Sequence, residues 1–583
     1  MPGGQSSFQS RASAALSWLV LLGGIITIGV AAHTVLSSYS SLPYSDGWAQ
    51  ISVVANGENP LSLAWLWRQH NEHRLLIPKL FLAADLRLFQ ARQVLLLTSI
   101  FAVQFLHWML LGWSMRVLGG WRGPLWRSGA GLAAFCLFCS SQWENLVWGF
   151  QTCFVLPGLF ATLSFVGLLL YRIALQRPER QHEWRFLLLS IAGALGATYS
   201  LASGNLLWPL LVAMALLLRL GRPAVLTYLV TGAVSTVLYA HNYVRPGQHS
   251  NPASALRSPL RLAEYVAVYF GSSWVRQEIG WAVCFGIAGL AIAFAFLWHL
   301  GRSVRVTQGF SVQLVFTLLF CMGTGFLTAL GRLNLGITQA FSSRYQTVAL
   351  LFWCCLGLLV LAASAAGTRQ VSLVIVELLF LAVLLRGANL ARYSLREARW
   401  HGFQLDAATA ALFTGLDDRE QFYYAALNPE HLKRKVAFLR QNCLSIFSDD
   451  AYSQLGAHLD SMFRVVPSDE CVGALQSVST IKDNGVRALK ITGWAWDRKH
   501  HEPPSHIVVV ANGAIVGLGA IGDTRPTIRA ANPYLKSSFI GFTGYVRDVP
   551  QSFPLKIYAI SPVSPPEACY ITTVGSSEMD PHN

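Results

Sequence analysis

Residues 13–35 read SAALSWLVLLGGIITIGVAAHTV, and residues 36–48 read LSSYSSLPYSDGW. The first stretch carries no Asp, Glu, Lys or Arg, and as a helix it is long enough to cross a hydrocarbon core of roughly 30 Å. Gly29-Val30-Ala31 has the small side chains of a leader cleavage site, but the apolar run outlasts the roughly 7–15 residues of a signal core. It therefore reads as a retained first transmembrane helix. Asp46 then stands at the membrane–water boundary. Residues 1–400 contain only eleven acids, so an acid in that place calls for a function, because ionisable groups near a bilayer are costly to hold.

Similar runs recur near 93–115, 128–141, 151–171, 186–200, 205–219, 224–241, 280–300, 309–330, 346–366 and 371–389. The expected fold is a polytopic α-helical membrane protein with about eleven transmembrane helices, three of them short. A 53% hydrophobic and 13% charged composition excludes a disordered chain and an ordinary soluble enzyme. The net charge of +15 fits the positive-inside bias and anionic headgroups. Nucleic acid is not an expected partner, because no basic soluble domain with interleaved aromatics is present.

Arginines orient the chain. Arg116, Arg122 and Arg127, then Arg172, Arg177, Arg180 and Arg185, then Arg219 and Arg222, Arg302 and Arg305, and Arg369 all fall in alternate short loops on one side, the cytoplasmic signature. With the N-terminus on that side, eleven crossings place everything after about residue 390 outside the cytoplasm, as expected for a multi-pass protein of the inner (cytoplasmic) membrane. The expected organisation is a transmembrane domain over 1–392, an extracytoplasmic helical connector over 393–468 and a β-sandwich module over 469–583.

The opposite loops are 36–92, 142–150, 200–205, 242–279 and 331–345, and they are longer, aromatic and mixed in charge, as functional loops are. The first contains Gln69-His70-Asn71-Glu72-His73-Arg74. Arginine forks suit phosphate or carboxylate groups, so this run suits an anionic substrate, with a hydrogen-bonded loop against the headgroups as the plain structural reading. On a helix His70 and His73 would share a face, with Glu72 off it. No third ligand follows at a suitable spacing, so the zinc signal is weak. No metal ligand and no cofactor are assigned, and a divalent metal stays open. In the second loop Trp143, Glu144, Asn145 and Trp148 set polar groups between indoles, an arrangement that suits a sugar ring as well as an interfacial belt. Asn205 lies in a polar break that also reads as a helical hairpin turn. The last loop supplies Arg332, Arg344 and Tyr345. Arg344 is either a snorkelling anchor or a phosphate contact at a helix N-terminus.

The tail changes period. Phe403, Ala407, Ala411 and Leu412 mark one helical face and Leu432, Val436 and Leu439 another. Beyond 470, alternation over Val486–Trp496, the run Ile507–Val510, the Asn512-Gly513 turn and Leu555–Ile560 predict strands and a hairpin. Cys471 and Cys569 bracket this region and would staple it in an oxidising compartment. Seven other cysteines lie in apolar segments as small core residues, and Cys443 reads as a buried thiol. Gly493-Trp494-Ala495-Trp496-Asp497 and Gly541-Phe542 resemble a β-sandwich module found on some bacterial glycosyltransferases and other glycan-associated proteins.

No Walker sequence, nucleotide-binding glycine loop or Gly-x-Ser-x-Gly elbow is present. An outward-facing enzyme would have no nucleotide sugar to hand, which leaves a lipid-linked substrate. By layout, and by Ser45-Asp46-Gly47 soon after the first helix, residues 1–400 resemble the GT-C superfamily of integral-membrane glycosyltransferases. The family often has a paired acid there, whereas here Gly47 follows. The resemblance implies sugar transfer from a polyprenyl-phosphate donor to a glycan or glycolipid acceptor of the cell envelope, with inversion and with Asp46 as general base. Arg344, Arg332 and Arg74 are the candidates for the donor phosphate. His73, Trp143, Asn145, Asn205 and Tyr345 are candidate substrate contacts, and Glu72 or Glu144 would hold hydroxyls. This reading expects Asp46, Glu72, Glu144 and Arg344 on one outward cavity, with the prenyl chain near an interfacial helix at Pro259–Phe270. The alternatives are a flippase of lipid-linked sugars, for which Glu377 is the clearest acid inside a helix, a glycan-binding envelope protein, and a membrane acyltransferase using His107.

Overall fold

The computed structural model describes residues 3–177, 183–247, 252–302, 309–366, 371–425, 432–449, 453–483, 486–547 and 554–575. Arg180, Arg305 and Arg369 lie outside the described residues. The chain divides into two units. Met1–Val35, Leu61–Phe81 and Leu96–Leu395 form the first, and Leu36–Pro60, Leu82–Leu95 and Arg396–Asn583 the second. One division of the chain falls between Leu395 and Arg396. The first long loop, however, is shared between the units, and connector and β-module belong to one unit.

Each of the eleven apolar runs is a helix: Gly3–Ser37, Val94–Val117, Gly123–Phe138, Thr152–Leu175, Trp184–Thr198, Leu207–Leu217, Arg222–Ala240, Ile279–Arg302, Gly309–Arg332, Gln346–Ala366 and Val371–Thr414. Eight of the described helices are long and apolar enough to cross a membrane. The remaining three have 16, 15 and 11 residues. At about 1.5 Å per residue they rise only about 16–24 Å, short of a hydrocarbon core.

Within the first unit, small residues let backbones meet. A Cβ on Gly24 would lie 2.4 Å from the Gly131 carbonyl oxygen, and one on Gly131 would lie 2.4 Å from that of Val20. The first helix therefore crosses Gly123–Phe138 backbone to backbone, the close approach that membrane helices use in place of a hydrophobic driving force. Glu377 ties the Val371–Thr414 helix to both, since its Oε1 accepts from Ser13 Oγ at 3.0 Å and Ser128 Oγ at 2.9 Å. His107 is buried with Nε2 2.9 Å from Thr162 Oγ1, a bond between neighbouring helices. The Pro259–Gly271 helix buries Leu262, Tyr265 and the run Ala267–Gly271.

In the second unit, Leu42, Trp48 and Ile51 share a core with Leu405, Ala411 and Leu412. The Ala425 carbonyl accepts from Trp48 Nε1 at 2.8 Å and from the Ser45 N–H at 3.2 Å, which fixes the segment around Asp46. Leu432, Val436 and Leu439 are the buried residues of the Leu432–Gln441 helix, as their spacing predicts. Eight strands follow: β1 (Arg464–Val466), β2 (Cys471–Asp483), β3 (Val486–Asp497), β4 (His506–Ala511), β5 (Ala514–Thr524), β6 (Phe539–Val546), β7 (Leu555–Ser561) and β8 (Glu567–Val574).

These strands form one sheet in the order β1-β8-β7-β4-β5-β6-β3-β2, not the two sheets of the expected sandwich. The pairing order joins them, since β4 pairs with both β5 and β7, and β6 with both β5 and β3; β4 is also buried on both faces. Ile507, Val509 and Ala511 join Leu489, Ile491, Phe542 and Ile557 in one core. Val508 and Val510 face the helical core with Leu416 and Phe422. A short β-branched run is what a strand covered on both faces requires. Asn512 and Gly513 have φ of 49° and 78°, the left-handed pair of a tight hairpin turn. Cys471 and Cys569 are disulfide-bonded, with Cα atoms 6.0 Å apart, joining β2 to β8. Cys443 and Cys284 are exposed free thiols. For Cys443 this corrects the expectation of a buried thiol; it lies just past the end of an amphipathic helix, in a turn with φ of 50°.

Candidate active site

The first unit's share of the long loop is held in place by its own cations. Ser62 caps the short helix Leu63–Trp67 by accepting from the Trp65 N–H at 3.3 Å. Lys79 Nζ reaches that helix's open end, donating to the Trp65 carbonyl at 2.8 Å and to that of Arg68. Burial, then the Arg68 and Arg74 guanidinium groups, lower the Lys79 pKa to about 8. Beyond it, His70 and His73 exchange two backbone hydrogen bonds of 2.8 Å, and Asn71 has φ of 49°. The Asn71-Glu72 pair is thus a two-residue hairpin turn. The helical face on which the two imidazoles would have met does not form, and among the described residues no three His, Cys, Asp or Glu side chains gather in a metal-binding set.

Arg74 is only 3% exposed. Its guanidinium donates to the carbonyls of Tyr239 at 2.6 Å, Trp67 at 2.7 Å and His241. These bonds use the fork that a phosphate would need, and Arg74 is not on the cavity wall. It holds the hairpin against the end of the Arg222–Ala240 helix, and Tyr239 Oη completes the clamp by donating to the Glu72 carbonyl at 2.8 Å.

The hairpin aims Glu72 into a cavity of 520 Å³. Five of the residues singled out by sequence line it: Glu72, His73, Arg332, Arg344 and Tyr345. Glu72 Oε1 lies 3.2 Å from an Arg332 terminal nitrogen and 3.4 Å from His73 Nε2. The Ala202 N–H donates to His73 Nδ1 at 3.2 Å, which leaves the proton of a neutral imidazole on Nε2, facing Glu72. The lining also has an apolar part, with Phe154, Leu201, Leu327 and Val348. Segments from four of the loops that the arginine pattern puts on one side, 36–92, 200–205, 242–279 and 331–345, meet here.

Arg344 is built from behind. Glu144 Oε2 accepts the Arg344 N–H at 2.9 Å and lies 4.0 Å from its Nε, which donates to Ser342 Oγ at 2.9 Å. Asn145 Nδ2 donates to the Arg344 carbonyl at 2.8 Å and to Thr347 Oγ1 at 2.7 Å. The guanidinium carbon stands 5.9 Å from the Trp148 ring centroid. Glu144 and Asn145, expected as substrate contacts, are not on the cavity wall and instead position Arg344 at the start of Gln346–Ala366. Trp143 is half-buried at the start of the same short helix. Asn205 donates to the Ala202 carbonyl at 3.1 Å, inside the turn that presents Leu201 and Ser203 to the cavity.

The same wall carries residues that the sequence reading passed over, among them Tyr243, Arg245, Tyr269 and Thr328. Tyr243-Val244-Arg245-Pro246, an aromatic and a cation beside a proline in a long loop, was the available signal. Burial and then the Glu72 carboxylate push the Tyr243 hydroxyl pKa up. Three arginines against one glutamate leave the cavity cationic. Asp46 belongs to the second unit. It is half-buried ahead of the Gly47–Ala55 helix, follows Ser45 at φ of 47°, and makes no side-chain cap bond to that helix.

No family model matches the chain, and no curated protein matches it. Two solved structures of oligosaccharyltransferases from Archaeoglobus fulgidus, the first of them the archaeal AglB, are similar in part. One, in complex with an inhibitory peptide and a dolichol-phosphate, is 11% identical with a TM-score of 0.40, over 71% of this chain and 60% of that one. The other, in complex with Zn and sulfate, is 13% identical with a TM-score of 0.37, over 70% and 57%. The chain thus matches less than two thirds of the length of either. Likeness at this level assigns no role to any residue here.

Proposed function

We propose that the chain is a GT-C-like glycosyltransferase, moving a sugar from a polyprenyl-phosphate donor to a cell-envelope glycan or glycolipid on the outer face of the cytoplasmic membrane. The observation that carries this reading is the pairing of Arg332 and Arg344 with an apolar wall in one cavity of a membrane-type helical unit. An amphiphile with a phosphate head and a prenyl tail matches both surfaces. The acceptor hydroxyl attacks the anomeric carbon and gives its proton to a general base, the role that the sequence resemblance implies for Asp46. The bond from that carbon to the phosphate oxygen breaks, and the electron pair leaves with the polyprenyl phosphate. The leaving phosphate gains roughly one negative charge, so the guanidinium groups act more strongly on the transition state than on the bound donor. Glu72 orients Arg332 and accepts from sugar hydroxyls.

The test is transfer by the purified full-length protein with a panel of polyprenyl-phosphate sugars. Asp46→Asn is expected to lower the rate by about 10²–10⁴-fold, the range of a lost general base, with expression and thermal midpoint unchanged. Full activity in Asp46→Asn removes that residue from the role of base. No product from any donor with the unaltered protein overturns the transfer reading itself.

A further inference from the structure

The second unit holds a larger cavity, of 640 Å³, within the roughly 300–1,000 Å³ of ligand sites. One wall is the turn Arg396, Glu397 and Trp400 of the Val371–Thr414 helix. The other is the β5–β6 connection, with Thr524, Arg529 and Ser538. Leu535, 2% exposed, closes the apolar floor and packs on Trp496. That contact explains why Trp496, part of the run that resembles a glycan-associated module, is core and not a platform.

Neighbouring guanidinium groups are committed. Arg525 holds Asp523 and donates from Nε to Gln476 Oε1 at 2.9 Å. Arg399 lies 5.1 Å from the Phe539 ring centroid. Arg396 and Arg529 differ, since neither side chain makes a hydrogen bond or ion pair with any described residue, and both line the cavity. Trp400 lines the same cavity with 39% of its surface exposed.

We propose that this cavity is a second binding site, for an acidic carbohydrate such as a uronic-acid segment of a glycan. The chemistry is divided as such a ligand needs. The C–H face of a pyranose packs on the indole. Ring hydroxyls donate to the Glu397 carboxylate and pair with Thr524 and Ser538. A carboxylate takes the two uncommitted guanidinium forks. An anionic lipid surface matches less well, because its phosphates lie in a plane, whereas Arg396, Arg529, Glu397 and Trp400 line one cavity. The proposal does not rest on sugar transfer in the other unit.

The experiment is calorimetric titration of the full-length protein in detergent micelles with tetragalacturonic acid and with its fully methyl-esterified form. Saturable binding of the acid is expected, with the ester weaker by about tenfold or more. Arg396→Gln/Arg529→Gln and Trp400→Ala are each expected to weaken the acid by about tenfold or more, while Trp400→Phe keeps binding close to the unaltered protein and shows that the loss is not misfolding. Three results overturn the proposal: no saturable binding by the unaltered protein, variants that bind as it does, or equal affinity for the ester. Loss of phosphatidylglycerol-vesicle binding in the double variant, with tetragalacturonate binding intact, assigns the cavity to a lipid surface instead.

Discussion

Arg344→Gln is expected to lower kcat for sugar transfer by roughly 10²–10³-fold, the cost of removing one aligned charge donor from a transition state. Its KM for the lipid-linked donor should move much less. The expectation follows from how the guanidinium is held. Glu144 and Asn145 take the Arg344 N–H and carbonyl, and Ser342 accepts from its Nε, which fixes the guanidinium on the cavity lining, where a bound phosphate gains charge as the glycosidic bond breaks. Arg344→Lys should recover little, because an ammonium cannot offer a planar fork. Steady-state kinetics decide the point. A raised KM with unchanged kcat would mean that Arg344 binds the donor equally in the ground and transition states and does not act on the chemical step.

The second large effect concerns stability. Asp418 Oδ2 accepts from Lys490 Nζ and from Tyr545 Oη, both at 2.8 Å, while Oδ1 accepts the Gln421 N–H at 3.1 Å. One carboxylate thus pins the helical part of the second unit to β3 and β6. Removing one partner of a buried ion pair costs about 3–5 kcal/mol; the Lys490 side chain is 22% exposed, which places Asp418→Asn toward the lower end. Burial alone would raise the Asp418 pKa. Lys490, the Gln421 N–H and Tyr545 together outweigh it and hold the carboxyl below its ordinary 3.8. A depressed folded pKa stabilises fully above the unfolded value and loses that stabilisation as pH falls through the folded one. The gap in unfolding midpoint between the unaltered protein and Asp418→Asn should therefore be widest near neutrality and should narrow only below about pH 3.8. Equal midpoints at pH 7 would show that the cluster is not holding the unit together.

Features that depend on period were legible in the sequence. All eleven apolar runs are helices, and in the eight long ones about twenty apolar residues in a row leave little else to form. Asn512-Gly513 turns as two left-handed residues must, and Leu432, Val436 and Leu439 share a buried face because their spacing allows nothing else. Features decided by a neighbour distant in sequence were not legible. Arg74 and Arg344 look alike in the chain, each beside aromatic residues in a loop. Tyr239 and His241 present open carbonyls to the guanidinium of the first, while Glu144 takes the backbone N–H of the second, whose side chain lines the cavity. Likewise Asp46 and Glu72 sit in one loop by sequence. The core around Trp48 draws the first into one unit, and the Arg74 clamp holds the second in the other. The single sheet in place of a sandwich follows from pairing order, which no local pattern encodes.

The bond between Cys471 and Cys569 closes a covalent ring around nearly the whole sheet, with its ends 98 positions apart in sequence. A ring has no free end to release. One protease cut anywhere inside it leaves a single connected molecule that still carries every strand, and the fragments part only after reduction. In an oxidising compartment the module would thus tolerate one nick without losing any piece of itself. The helical unit ahead of it has no described disulfide, so a cut in one of its loops would be held only by packing.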